Sequence, residues 1–199
     1  MLICLEGTDG CGKSTQAKLL TGFTVVAFPR YDHFFGKIIK LILNQKWGKK
    51  ISPYLVAWLF ATDRLLAKPG IEQLLNSGKN VVIDRYTGSS QAHQGAKLKG
   101  AARQKIIRWI DWLEKKIYRL PQPDKTFWLN LPIAISRTLI NQRARGIDEA
   151  EKDLHHQQEA YTIYQQLAKE KKWIIINCTQ KGKLKKAEAI RADIRSGLS

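Results

Sequence analysis

The sequence predicts a three-layer α/β fold, a five-stranded parallel sheet flanked by helices on both faces. Three observations carry that expectation. Short apolar runs recur at 2–5, 24–28, 81–83, 126–131 and 173–178, as strands buried on both faces require. Between them lie longer segments whose apolar residues return at helical spacing, and that alternation means crossover helices on both sides of one sheet. The first run passes directly into Gly7-x-x-x-x-Gly12-Lys13-Ser14, a glycine-rich turn that opens a helix.

Each element has its own warrant. Strand 24–28 stops at Pro29. Residues 34–44 carry Phe34, Phe35, Ile38, Ile39, Leu41, Ile42 and Leu43, a helix with a broad apolar face. Ser52-Pro53 starts the next helix, with Ser as cap and Pro in the first turn. That helix is expected to run to about 67, to break at Pro69-Gly70, and to be followed by a short helix over 71–76. Residues 77–80 form a turn before the strand at 81–83. Asp84-Arg85-Tyr86 then leads into a Ser/Gly-rich loop or short helix. Ala102, Ile106, Trp109, Ile110, Leu113, Ile117 and Leu120 mark an amphipathic helix over 101–119, closed by Pro121 and Pro123. Pro132 opens a helix to about 142, and residues 143–148 read as an exposed loop. A long helix ending near 171, the strand at 173–178 and a final helix over 184–195 complete the chain.

The 199 residues suit one domain, with 44% hydrophobic and 26% charged residues as in an ordinary globular chain. No apolar run approaches membrane-spanning length, and the first strand starts at Leu2, so neither a membrane partner nor a leader peptide is expected. Cys4, Cys11 and Cys178 lack metal-ligand spacing, and a reducing cytoplasm fits them. The charge is unusual: 34 Lys+Arg against 17 Asp+Glu give +17. Phosphorylated substrates account for part of the surplus. The remainder falls in 97–125 and 169–186, on what read as solvated helix faces, and a nucleic-acid partner is the less favoured explanation.

The chemistry collects past the ends of strands, where parallel sheets bind ligands. In the glycine-rich loop, backbone N–H groups can turn inward around phosphate oxygens, with the helix N-terminus adding partial positive charge. Lys13 can reach the outer phosphates, and the Ser14 hydroxyl can ligate magnesium. Asp84 is placed to hold the same ion from across the cleft, and Arg85 to clamp a phosphate with its planar fork of donors. Phe60 and Arg64 share one helix face, about 6 Å apart along the axis at about 1.5 Å per residue. That is comparable to the separation of a nucleobase from its own phosphate. Core packing is the plainer reading of Phe60 alone. Arg64 lies among Leu59, Phe60, Leu65 and Leu66 and needs an anionic partner if buried. Arg143 and Arg145, in a polar loop, can close over a nucleotide and spread positive charge over a moving phosphoryl group; pairing with Asp148 and Glu149 is the alternative. His155 and His156 read as helix surface.

Taken together these motifs resemble the thymidylate kinase family of phosphate-loop (P-loop) NTPase-fold enzymes. The residues that carry the likeness are Gly7-x-Asp9-Gly10-x-Gly12-Lys13-Ser14-Thr15, Phe28-Pro29-Arg30-Tyr31, Phe60-x-x-Asp63-Arg64, and Asp84-Arg85-Tyr86 with Ser89-Ser90-x-Ala92-x-Gln94. The resemblance covers essentially the whole chain. It implies transfer of the ATP γ-phosphate to dTMP, giving dTDP, with Mg2+ at Ser14 and Asp84, and often a homodimer. It implies an ATP site at Gly7, Thr8, Asp9, Gly10, Cys11, Gly12, Lys13, Ser14 and Thr15. Asp9 would contact the sugar 3′-hydroxyl and the acceptor phosphate region, flanked by Arg30 and Tyr31. Phe60 would stack on thymine, Arg64 would hydrogen-bond the base or anchor the nucleotide, and Arg85 would hold the acceptor phosphate. Ser90 and Gln94 would lie near the base, with Phe28, Pro29, Ser89 and His93 completing the dTMP pocket.

The loop holds no basic residue between Gly7 and Gly12, so the catalytic set implied is Lys13, Asp9 and Arg85 with Arg143 and Arg145 from a lid at about 143–150, as in the bacterial arrangement. His93 stands where the family often has a Tyr that helps exclude a ribose 2′-hydroxyl. Glu149 follows the lid Asp148 where an Arg is favoured. Cys11, facing a helix N-terminus, is expected to be an acidic, reagent-sensitive thiol that ATP protects. Two alternatives stand beside dTMP phosphorylation: a kinase for another (deoxy)nucleoside monophosphate, and a basic P-loop protein that binds nucleic acid and uses ATP as a switch.

Overall fold

In the computed structural model, which describes residues 1–44, 51–142 and 153–198, the sheet is the expected five-stranded parallel one. Its strands are β1 (Leu2–Glu6), β2 (Phe23–Ala27), β3 (Asn80–Asp84), β4 (Lys125–Asn130) and β5 (Ile174–Asn177), in the spatial order β2-β3-β1-β4-β5. β1 is central. It pairs with β3 through Leu2 and Val81 and with β4 through Ile3 and Lys125, and all five of its residues are buried. The chain leaves β1 toward β2 on one side and later crosses to β4 on the other. The switch point that opens a ligand crevice therefore lies at the carboxyl end of β1.

Alternation along β1 divides the core. Ile3 and Leu5 point to the face covered by α1 (Lys13–Leu19) and by the last helix, α8 (Ala187–Ser196), whose Ile190 and Ile194 close that side. Leu2 and Cys4 face the opposite layer, joined by Ala67 and Ile71 of α3 (Pro53–Asn76). A third cluster packs α4 (Thr87–Gly95), α5 (Gly100–Trp112) and α7 (Leu154–Glu170) through Ala92, Ile106, Ile110, Ile163, Tyr164 and Leu167. Two further helices, α2 (Phe34–Asn44) and α6 (Ile133–Asn141), complete the layers. Asp153 caps α7, accepting the His156 N–H at 3.1 Å.

Local pattern and structure part in four places. The break expected at Pro69-Gly70 does not occur, and α3 continues through it. Both residues are exposed, so the bond Pro69 cannot donate is lost on the solvent side, while buried Ala67 and Ile71 hold the helix down on either side. Ser52 occupies the cap position of α3, but its side chain makes no capping bond. The helix expected over 101–119 changes pitch after Trp112 into a π-turn, Leu113–Ile117. The start expected for the last helix is instead a hairpin, β6 (Thr179–Gln180) with β7 (Lys183–Leu184), turned by Lys181 and Gly182 at φ 49° and 74°. Two successive positive φ values match the right-handed twist of a two-residue hairpin.

Candidate active site

At the carboxyl end of β1 the backbone turns through Gly7, Gly10 and Gly12, all at positive φ. Gly10 has a second constraint: a Cβ there would lie 2.6 Å from the Ser136 carbonyl oxygen of α6. The Lys13 ammonium folds back under the loop and donates to the carbonyls of Gly7 (2.7 Å) and Thr8 (2.8 Å). Buried yet lining the cleft, it braces the loop while its charge faces the space a phosphate would fill.

Ser14 and Asp84, seventy positions apart, meet at the mouth of the loop, the hydroxyl donating to Asp84 Oδ2 at 2.5 Å. The second carboxylate oxygen, Oδ1, is buried with no partner among the described residues. A hard divalent cation would satisfy that orphan with oxygen ligands, so the donor set fits magnesium. Arg85 follows at φ 70°, a conformation costly for a non-glycine residue, fixed by its N–H bond to the Leu5 carbonyl of β1 at 3.2 Å. It turns the guanidinium onto the Asp9 carboxylate. Burial resists charge on Asp9, but Arg85, His93 and Lys13 together hold its carboxyl well below the usual carboxylate range. Burial likewise opposes the Arg85 charge, and Asp9 more than restores it.

The cleft continues as a cavity of about 510 Å³ away from the phosphate loop. Asp9, Gly10, Gly12, Lys13, Ser14 and Thr15 line one end. Phe28, Pro29, Tyr31, Phe60 and Arg64 also line it, as do Asp84 and Arg85 and, from α4, Ser89, Ser90, His93 and Gln94, with Arg64 bonded to Ser90 at 2.6 Å. Phe60 is half-buried, and its ring lies 6.0 Å from the Arg64 guanidinium carbon; the Tyr86 ring lies at the same distance. Arg64 is 1% exposed and does have the anion its burial demands, Glu114, 2.6 Å away.

Four expected site residues do not line this cavity. Gly7 and Thr8 lie beneath the loop and act through their carbonyls on Lys13. Arg30 is held by Asp63, whose carboxylate accepts its N–H (2.8 Å) and Nε–H (3.1 Å). Cys11 corrects the expectation of a reagent-sensitive thiol through its burial: it is 3% exposed and belongs to the apolar cluster of Leu129 and Cys178, while its Sγ accepts from the Lys13 ammonium at 3.5 Å. A glycine-rich loop sets which way its backbone N–H groups turn, and the Cys11 side chain is thereby directed into the core. Arg143, Arg145, Asp148 and Glu149, and the lid they would form, lie outside the described residues.

Other residues at the site escaped the motifs. His156 corrects the helix-surface reading: it lines the cavity, its Nε2 3.3 Å from His93 Nδ1, while His155 is exposed. The signal was present, since residues 156, 160, 163, 164 and 167 share one helix face, and the last four are core. Burial draws the His93 imidazole down to about 3 against the pull of Asp9. Glu6, at the end of β1, accepts from the Tyr86 N–H (3.0 Å) and the Ser89 hydroxyl (2.6 Å), seating the start of α4. Tyr164 joins this network through Ser89, and burial with Glu6 keeps its phenol protonated.

A phosphate loop, a carboxylate and hydroxyl that could hold a divalent cation, and an arginine- and aromatic-lined cavity in one cleft define the P-loop phosphotransferase class. A sequence model of the thymidylate kinase family matches residues 5–190. Thymidylate kinase of Mycobacterium tuberculosis is 31% identical over 198 residues, covering 88% of this chain and 91% of the relative. The human thymidylate kinase is 29% identical, covering 98% and 87%. A solved thymidylate kinase from Candida albicans, described as having broad substrate specificity, superposes with a TM-score of 0.77 at 26% identity over 99% of this chain and 90% of that one. The chain belongs to the thymidylate kinase family, kinases that phosphorylate dTMP to dTDP with ATP.

Proposed function

We propose that this chain, folded as one domain, performs that transfer in the cleft just described, with ATP over the phosphate loop and dTMP between Phe60 and α4. One observation supports the assignment of sites: Lys13, Arg85 and the pair Phe60–Arg64 line the same cavity. The acceptor phosphate is already an oxyanion at neutral pH, so the protein needs alignment, exclusion of water and positive charge rather than a strong base. Lys13 and the loop N–H groups orient the donor phosphates. Arg85 offsets the charge of the acceptor phosphate, which would otherwise repel ATP. Asp9, kept ionised by Arg85, accepts a hydrogen bond from the sugar hydroxyl. Ser14 and Asp84 hold Mg2+, which supplies charge neutralisation on the donor phosphates when bound. Arg143 and Arg145 supply the remaining charge from the lid.

The apolar side chains of Phe34 and Leu41 on α2 and of Leu55, Trp58 and Leu66 on α3 are exposed, which supports a homodimer closed over those helices. No described helix is long and apolar enough to cross a membrane. Together with three free thiols this supports a cytoplasmic location.

The test is a coupled assay of ADP release over all nucleoside and deoxynucleoside monophosphates, with and without Mg2+, on the native chain and on Arg85→Ala. dTMP should be the preferred acceptor, Mg2+ should be required, and the folded variant should turn over far more slowly. Unchanged turnover in Arg85→Ala overturns the acceptor assignment.

A further inference from the structure

Arg64 is a buried cation that has already been neutralised. Its Nη2 group carries two N–H donors, and both are taken: Ser90 Oγ accepts one at 2.6 Å and Glu114 Oε1 the other at 2.6 Å. The other oxygen of Glu114 accepts from the Thr87 hydroxyl at 2.7 Å. Glu114 is 0% exposed and Thr87 8% exposed, so little water competes for these bonds. Glu114 is delivered by the π-turn after α5, the one stretch of that helix that departs from α-pitch, and such turns commonly reorient a residue at a functional site.

Two consequences follow for the acceptor end of the cleft. The guanidinium cannot rotate, because one edge is tied to α4 and to the π-turn; only the Nε and Nη1 donors remain, and Nε has no partner among the described residues. A donor pair held in one orientation also discriminates by geometry, meeting an acceptor atom and rejecting a donor. A ring laid on Phe60, one helical turn back on α3, would bring its edge to this guanidinium, and the edge that an arginine accepts carries a carbonyl and not an amine. Arg85, paired with Asp9 beside Lys13, stands at the phosphate end instead.

We propose that Glu114 is a positioning residue that locks Arg64 in one rotation, so that the base contact the family resemblance gives Arg64 is held in register by Glu114 and Thr87. The inference rests on the placement of dTMP against Phe60 given above. Glu114 touches no substrate. It acts by fixing which donors Arg64 offers, while Thr87 fixes Glu114 in turn.

The experiment compares kcat and KM for dTMP, dCMP and ATP in the native chain, Glu114→Gln, Thr87→Val and Arg64→Ala, each checked for cooperative thermal unfolding. In Glu114→Gln the KM for dTMP should rise about tenfold, and the dCMP/dTMP ratio of kcat/KM should rise by a similar factor, as loss of one charge-assisted bond implies. The KM for ATP and the kcat at saturating dTMP should stay within about twofold, which general loosening of the fold would not spare. Thr87→Val should shift dTMP selectivity in the same direction by less, and it provides the readout if Glu114→Gln does not fold. In the Arg64→Ala background, Glu114→Gln should add nothing to the selectivity change. If Arg64→Ala alters dTMP KM and selectivity but neither Glu114→Gln nor Thr87→Val does, the positioning inference is overturned and the acceptor site stands. If Arg64→Ala changes neither, the acceptor placement itself fails.

Discussion

Gly36 offers a sharp test of how the acceptor flank is built. It lies in the first turn of α2, buried, with the backbone of Arg30 and Tyr31 pressed against it. A Cβ at this position would stand 1.8 Å from the Arg30 carbonyl oxygen and 2.8 Å from the Tyr31 nitrogen. Ordinary contact begins near 3.4 Å, so α2 and the 28–31 segment must separate by about 1.6 Å in Gly36→Ala. Neither side yields cheaply. Arg30 is held to Asp63 by its N–H and its guanidinium, and its carbonyl accepts the His33 N–H at 2.9 Å. On helix propensity alone the change should stabilise by about 1 kcal/mol. Overpacking against fixed backbone should cost about 1–3 kcal/mol, more than offsetting that gain. Because Tyr31 lines the cavity, its displacement reaches the acceptor, where a misplacement of about 1 Å is worth about 100-fold in rate. Initial rates at varied dTMP and saturating ATP should therefore show kcat/KM for dTMP falling about 10- to 100-fold, about 1.4–2.7 kcal/mol, with KM for ATP little changed. The melting temperature should drop by a few degrees, at about 2–4 °C per kcal/mol for a chain of this size. A Gly36→Ala protein with native dTMP kinetics and native melting temperature would refute this account of the close approach.

Three further outcomes are expected. Lys13→Ala should lose about 100-fold or more in turnover while retaining cooperative unfolding, since its ammonium bonds the loop carbonyls and is the group proposed to meet the donor phosphates; retention of turnover would count against the loop assignment. Acid should destabilise the fold. His93 stays neutral in the native state down to about pH 3, whereas the unfolded imidazole protonates near its ordinary value of 6.5. Its contribution is thus complete above pH 6.5 and is lost as the pH falls toward 3, by at most about 1.4 kcal/mol per pH unit. Asp9, held ionised below the carboxylate range, adds a loss of the same sign below about pH 4. Urea midpoints between pH 7.5 and 4.5 should fall, and the slope should flatten in His93→Asn; identical slopes for the two proteins would exclude His93 as the source. Finally, the Cys11 thiol should resist alkylation in the native protein and react on unfolding, because it is enclosed by core side chains. Rapid stoichiometric labelling of native Cys11 would show that the loop opens far more than its packing suggests.

The parallel sheet, the order of its helices and the loop-facing half of the site were legible because each depends on residues close in sequence. Apolar runs announce buried strands, and the spacing from Gly7 to Ser14 encodes a backbone turn whatever packs around it. In the rest of the cavity, spacing alone pointed to Phe60 and Arg64, which share a helix face four residues apart, whereas Phe28, Pro29, Tyr31, Ser89, Ser90, His93 and Gln94 came from the family resemblance and line the same cavity. Periodicity over 101–119 was continuous, so it concealed the π-turn, although Glu114 falling one turn after buried Ile110 was a sign that a buried cation had to exist. Pro69 misled for the opposite reason: local breaking propensity is weak against tertiary anchoring on both sides of it.

By itself the sequence determined the strand-to-helix phosphate loop and named the residues proposed to meet a divalent cation and a base, since those abilities belong to residue types at fixed short spacings. Only the tertiary structure decided which partner each charge takes: Arg64 with Glu114 from fifty positions away, Arg30 with Asp63 and Arg85 with Asp9. The reason is physical. A backbone turn is settled by steric limits within a few residues, whereas the neutralisation of a buried charge depends on what the whole chain brings within about 3 Å of it.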